Sequence, residues 1–467
     1  MFDDILMALD QHPGVHDWTV SHRRSRSVQL YLIGREIENV REVSTEGFDL
    51  DIFNDHPFPV PATPAGSGSA GAPPAPSFPS AGSGDTGMAR GVASLKLVSA
   101  DRERIQQRLA DAVLMASLVH NPPYSLPEPG TYPEVPLVDP SLSAARDASG
   151  AAQAFAAELW DLVEREPGVR LSAAELFLTY SEVELRNSRG IRVQSDGTRV
   201  LAELVLLASG DGAEEAEHFR QLEGRRLADL RLPQAVAEAA TFARDTLRAR
   251  PPRTRTGPLV LSGDALSPLF DPFMYQASAS AAYQKLSPFQ IGVSVYGERQ
   301  VTGHRLTLRA NARRPYGLSS HRLDGDGVPG HDVLLIEDGV LRARHATQRY
   351  ARYLGLPATG APGNTEVSPG ATSLDDLLSA SGGEPVYQVV GFSAPDVDPI
   401  TGDFGSEIRL GYEITPQGRQ PIKGGSVSGN VFEAFAGARF SRELLERGAY
   451  AGPEAVRFDS LRVSGDD

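Results

Sequence analysis

Between residues 17 and 55, large apolar side chains fall on alternate positions. Val28, Leu30 and Leu32 form one run and Phe48, Leu50 and Ile52 another, each with polar neighbours. A period of two is the signature of half-buried extended chain, so this stretch is expected as strands, with Gly47 at a turn. The pattern resumes at Gly91-Val92-Ala93-Ser94-Leu95-Lys96-Leu97. Between them, residues 57–87 are mostly Pro, Ala, Gly and Ser, with few large side chains besides Phe58 and Phe78. Such a segment buries too little to offset its ordering entropy. It is expected as a disordered insertion inside one domain.

The opening Asp3–Leu9 reads as a short helix stopped by Pro13-Gly14. A second helix, with Asp101 as its expected cap, places Ile105, Leu109, Ala112, Val113 and Ala116 on one face. After a proline-rich crossing near 122–140, a third helix turns Phe155, Leu159, Leu162 and Val163 inward and closes at Pro167-Gly168. Residues 175–208 read as a hairpin through Asn187-Ser188-Arg189-Gly190, with a further turn at Asp196-Gly197. A long helix then runs from Pro233 to Arg250. The stretch Arg250–Gly257 is the expected linker between a mixed α/β portion, 1–250, and a strand-rich portion, 258–467. The fold class is α+β.

With 467 residues the chain has length for two or three domains, and a formal net charge of −15 argues against nucleic acid or an anionic membrane as a main partner. The densest basic patch, His22-Arg23-Arg24-Ser25-Arg26, reads as a solvated strand end. There is no cysteine, so disulfides, thiolate metal sites and thiol nucleophiles are all excluded. No apolar run approaches the roughly 20 residues of a membrane span. The first residues lack a basic leader, and a cytoplasmic location is the expectation.

The usual hydrolytic chemistry is missing. None of the ten histidines precedes a glutamate. His12 and His16 have i, i+4 spacing, but Pro13-Gly14 breaks the helix that would align them. Asp324-Gly-Asp326 resembles the start of a calcium loop, yet its twelfth position is Leu335 rather than a carboxylate. No Gly-x-Ser-x-Gly elbow or phosphate loop occurs. Asp396, Asp398 and Asp403 offer carboxylates with no spacing that defines a pair.

Several segments taken in order carry a resemblance. They are Asn187-Ser188-Arg189-Gly190, the strand Leu259–Leu261, Leu334–Leu341, Thr401-Gly402-Asp403-Phe404, Gly425–Phe432 and Phe458–Gly465. This set resembles the TldD/PmbA family, also called modulators of DNA gyrase. The resemblance implies an N-terminal α/β portion and a β-rich C-terminal domain. Its active members are zinc peptidases that degrade unfolded or short peptides within a dimer cavity. They carry His-Glu-x-x-x-His on a helix after the strand matching Leu259–Leu261, with a cysteine ligand nearer the C-terminus. The PmbA (TldE) branch lacks these ligands and pairs with a TldD subunit.

Laid on that motif, the histidine positions fall at Asp271 and Gln276 and the glutamate at Pro272. Zinc hydrolysis needs three protein ligands, a water and a base. Asp271 is instead expected to cap a helix whose first turn holds Pro272, with Phe273 and Met274 facing a core. The resemblance therefore implies a zinc-less TldE-like subunit whose metal sits on a TldD-like partner. Gly402, Asp403, Phe404, Ser428, Gly429 and Asn430 are the expected peptide-cavity loops. Two alternatives stay open: a peptidase using His304, His321, His331 and His345, and a homodimeric scaffold or regulator with no peptidase partner.

Overall fold

The computed structural model describes residues 1–59, 86–143, 148–210, 214–379 and 384–466. Helix α1 (Phe2–Gln11) leads into β1 (Asp17–Ile33), which returns as β2 (Glu36–Pro59). The reversal falls at Gly34, where φ is +56°, and Ile33 pairs directly with Glu36 across a two-residue turn. Gly47 is therefore not at a turn. It lies inside β2 opposite Arg23. Strand β3 (Thr86–Leu97) pairs with β2 from Phe48↔Leu97 to Pro59↔Thr86. Pairing thus reaches into both ends of the 57–87 segment expected as disordered, and residues 60–85 lie outside the described residues.

Next come α2 (Ile105–Ser117), α3 (Ala148–Glu164), β4 (Val169–Asn187), β5 (Arg192–Ser209), β6 (Glu215–Gly224) and α4 (Leu232–Arg248). The six strands form one antiparallel sheet in the order β3-β2-β1-β4-β5-β6. The turn at Asn187–Gly190 forms as expected, because Asn187 Oδ1 accepts from the amides of Arg189 and Ile191. The second expected turn does not form. Asp196 and Gly197 lie inside β5, paired with Glu182 and Ser181. Gly197 is there for space, since a Cβ would stand 3.0 Å from Arg225 Nη1.

The strand period places two pairs of helices on one face of this sheet. Ile5 and Leu9 of α1 and Leu109 of α2 pack on Val20, Leu50 and Ile52. Phe155 and Leu159 of α3 and Val236 of α4 pack on Leu30, Leu176 and Leu204. Each such fully buried side chain contributes about 1.5–3 kcal/mol. The basic stretch 22–26 is mid-strand rather than at a strand end: His22 stacks on Phe48 and Arg24 pairs with Glu182. Asp101 is not the cap of α2. It lies in a preceding 3-10 turn and accepts from the Val98 amide.

A buried cluster of charges ties this half together. Arg90 on β3 is 4 % exposed and donates to Asp17, Asp55 and the Tyr124 carbonyl. Asp17 also accepts from Ser188 and Arg189, which ties the 187–190 turn to the same group.

Beyond Arg255 the strands are shorter and share one large core. One sheet takes, in order, Val386–Phe392, Arg255–Ser262, Ala455–Ser464, Ser426–Asn430, Asp403–Thr415 and Asp396–Val397. A second takes Val340–Leu341, Asp332–Glu337, Leu308–Asn311, Asn364–Val367, Tyr450–Pro453 and Leu444–Arg447. Phe270, Phe273, Tyr296, Phe435, Phe440 and Phe458 are fully buried between them. The stretch preceding Arg255 is held by this half, with Arg250 bonded to the Pro421 carbonyl and Arg253 to the Tyr387 hydroxyl. No helix among the described residues is long and apolar enough to cross a membrane.

Candidate functional site

Strand Arg255–Ser262 delivers the chain through two 3-10 turns into α5 (Asp271–Gln276). The apolar residues of this segment point inward. Phe270 stacks on Tyr450, and Phe273 meets Phe432 and Phe435 edge-on at centroid distances of 5.4 and 5.0 Å. These rings fix which side of α5 is left over for function.

Asp271 does not cap α5. The helix continues from the 3-10 turn Ser267–Phe270, so Asp271 is already helical and its amide bonds back to Pro268. Its side chain reaches solvent and has no hydrogen-bond or ion-pair partner among the described residues. Surrounding protein still removes enough water to raise its carboxyl to about 6. Pro272, Phe273 and Met274 are buried.

Gln276 is fully buried, and its Nε2 donates to the carbonyls of Pro399 and Ile400 at 3.1 and 3.0 Å. Its Oε1 has no partner. The C-terminal end of α5 is held from outside. Arg344 donates to the carbonyls of Gln276, Ser278 and Phe289, and His345 Nε2 lies 3.0 Å from the Met274 carbonyl. The Met274 and Gln276 carbonyls are among the orphan acceptors that a helix end presents.

The Gln276 contact brings α5 against the 398–402 turn. Asp398 Oδ1 accepts from the amides of Ile400 and Thr401, and these bonds hold its carboxyl below the ordinary range. The expected cavity residues meet here as adjacent rungs: Asp403↔Asn430, Phe404↔Gly429 and Gly405↔Ser428. Asn430 joins them by donating to the Thr401 carbonyl and Asp403 Oδ1 while its own Oδ1 caps the next helical turn at Glu433. Gly402 has φ +77°, and a Cβ there would stand 2.5 Å from the Phe432 ring. The half-buried Phe432, against Phe273, and the exposed Ile400, bonded to Gln276, therefore lie beside α5. Sequence reading missed Ile400, Phe432 and Arg344 and gave His345 only as an alternative metal ligand, since their contacts with α5 span 68 to 159 positions and leave no local signature.

The remaining acidic and histidine residues are dispersed. Asp324 organises a turn by accepting from the amides of Asp326, Val328 and Ala361. The Asp398 amide donates to the Asp403 carbonyl, and the Asp403 carboxylate accepts from Asn430. Each of the four alternative histidines serves nearby backbone: His304 the Phe440 amide, His321 the Ser319 carbonyl, His331 the Pro329 carbonyl and His345 the Met274 carbonyl. His12 and His16 likewise accept separately, from Gly14 and Asp55 amides. Among the described residues no three His, Asp or Glu side chains converge on a metal-sized space.

A long antiparallel sheet covered by helices is joined to a β-rich half that carries a helix directly after its entry strand. Residues 254–465 match the PmbA/TldA metallopeptidase C-terminal domain. The β-rich half thus carries the C-terminal domain of the TldD/PmbA family. Its fold is similar to that of TldE from Thermococcus kodakarensis, with TM-score 0.75, 19 % identity and all of both chains covered. It is 26 % identical over 293 residues to an uncharacterized protein of Methanocaldococcus jannaschii, covering 58 % of this chain and 64 % of that protein. It is 29 % identical over 126 residues to the zinc metalloprotease TldD homolog of Saccharolobus solfataricus, covering 24 % of this chain and 28 % of that one. The chain thus spans less than two thirds of either relative.

The α5 residues do not fit the zinc that this family implies. Asp271 offers a carboxylate, Pro272 has no proton acceptor, and Gln276 offers only a neutral amide oxygen, outside the usual Cys, His and carboxylate zinc ligands, on a side chain fixed through its nitrogen to two carbonyls.

Proposed function

We propose that this chain is a non-catalytic, TldE-like subunit of a TldD/PmbA-type peptidase complex. The observation that carries the reading is Gln276. At a position matching a zinc histidine stands a buried amide that fastens α5 to the 398–402 turn. A ligand position has become a brace. The adjacent base position is Pro272, which has no group to take a proton from water. The likeness to TldE supports the same assignment at the level of fold.

In this reading the zinc and its base sit on a TldD-like partner, and this chain shapes the shared cavity. The substrate class is unfolded or short peptides, docked as an added strand through main-chain hydrogen bonds. The rungs Asp403–Gly405 and Ser428–Asn430, with Ile400 and Phe432 beside them, supply the cavity wall.

Affinity purification of the tagged chain from its native host tests the pairing. Recovery of a homologue with an intact His-Glu-x-x-x-His motif is the expected result. Recovery of this chain alone, as a homodimer, contradicts it and favours a scaffold.

A further inference from the structure

Away from α5, a cleft of about 240 Å³ lies between the start of α4, the loop Arg314–Gly317 and the turn Leu445–Gly448. In a chain of net charge −15, five arginines line it. Most are neutralised. Arg220 and Arg447 share Glu238 and Asp264, and Arg226 pairs with Asp229.

Three donors are not. Arg231 is exposed, and its guanidinium has no hydrogen-bond or ion-pair partner among the described residues. Arg314 pairs with Glu446 through Nη2, but its Nη1 is buried with no partner. The Tyr316 hydroxyl makes no hydrogen bond among the described residues, and its ring is covered by Arg226 at 4.1 Å.

The backbone at two of these residues is strained. Only four non-glycine residues among those described have positive φ, and Arg231 (+44°) and Tyr316 (+55°) are two of them. Such conformations are unfavourable and persist where surrounding structure enforces them. Arg225 enforces the second by donating to the carbonyls of Gly317, Leu318 and Ser320. No carboxylate lies within ion-pair distance of Arg225 among the described residues, so its positive charge also stands behind the cleft wall.

We propose that this cleft binds an oxyanion, a carboxylate or phosphate group, with Arg231, Arg314 Nη1 and the Tyr316 hydroxyl as its donors. Guanidinium–oxyanion hydrogen bonds are among the strong ones, and a buried unpaired donor gains most from meeting an acceptor.

Isothermal titration of the full chain tests this with three probes. They are inorganic phosphate, a short N-acetylated peptide with a free α-carboxylate, and the same peptide amidated. Saturable binding of phosphate or of the acid peptide is expected, weakened about tenfold or more by Arg231→Asn. Asn tolerates the left-handed conformation, so the thermal midpoint should hold. Preference for the acid over the amidated peptide identifies a peptide terminus as the source, and binding of phosphate alone identifies a phosphate-bearing ligand. Should Arg231→Asn lower the thermal midpoint, Tyr316→Phe makes the same test while keeping the ring under Arg226. Absence of saturable binding by all three probes, or wild-type affinity in the folded variant, overturns the proposal.

Discussion

Gln276 Nε2 lies 3.0 Å from the Ile400 carbonyl oxygen and 3.1 Å from that of Pro399, so one buried amide clamps α5 to a turn more than 120 residues away. Replacing it with Leu keeps the volume and removes both donors. Pro399 and Ile400 are themselves exposed, so losing the two hydrogen bonds costs about 1–3 kcal/mol together. Gln276→Leu should lower stability in urea by an amount in that range. Amide exchange should speed up selectively at Ile400–Asp403. Unchanged exchange there would show that the clamp does not hold the turn.

Gly402 predicts a steric effect at the same place. With φ +77° and the Phe432 ring 2.5 Å from any added Cβ, Gly402→Ala must move the ring or the backbone. A loss of about 1–3 kcal/mol is expected from strain of this kind. Gly418→Ala serves as comparison, since φ is +141° there but no atom lies within 4 Å. An equal loss in both variants would remove the role assigned to Phe432.

Asp271 predicts a pH dependence. Its carboxyl stands at about 6 when folded, against an ordinary 3.8. The folded chain therefore holds this proton more tightly than the unfolded one. The contribution is complete below about 3.8 and is lost as pH rises through about 6. Asp271→Asn should become progressively more stable relative to wild type across that window. Contact with solvent keeps the difference modest. Parallel stability curves for the two proteins would contradict the desolvated setting.

Arg90 is the structural counterpart. Removing a buried cation from paired carboxylates costs about 3–5 kcal/mol. Arg90→Ala should fall in that range, because Asp17 and Asp55 would lose their shared partner. Arg90→Lys should recover only part of it, since an ammonium cannot make the bidentate contact to Asp55. A loss below 1 kcal/mol in equilibrium unfolding would show that Arg189 and Ser188 suffice to hold Asp17.

These residues also mark what was readable from the chain. Alternation located β1 and β2 because one face of each is buried by helices, and Val28, Leu30, Leu50 and Ile52 all lie in those cores. Helical spacing located α2–α4 for the same reason. Glycine misled twice. Gly47 sits in a continuous ladder, and Gly197 makes room for Arg225, whereas the true reversal uses Gly34. Spacing identifies a glycine but not which of its two uses applies, φ or space. The resemblance singled out Asp271, Pro272 and Gln276 from the chain alone, and that much of α5 was legible. Its brace to Pro399 and Ile400 was not, since that contact depends on the order in which distant strands pair.

The most direct test is metal content and peptide cleavage of the purified full chain, alone and mixed with a TldD-like homologue that keeps His-Glu-x-x-x-His. The account predicts no stoichiometric zinc and no cleavage by the lone chain, with chelator-sensitive cleavage when the homologue is present. Stoichiometric zinc together with chelator-sensitive cleavage by the lone chain would contradict it.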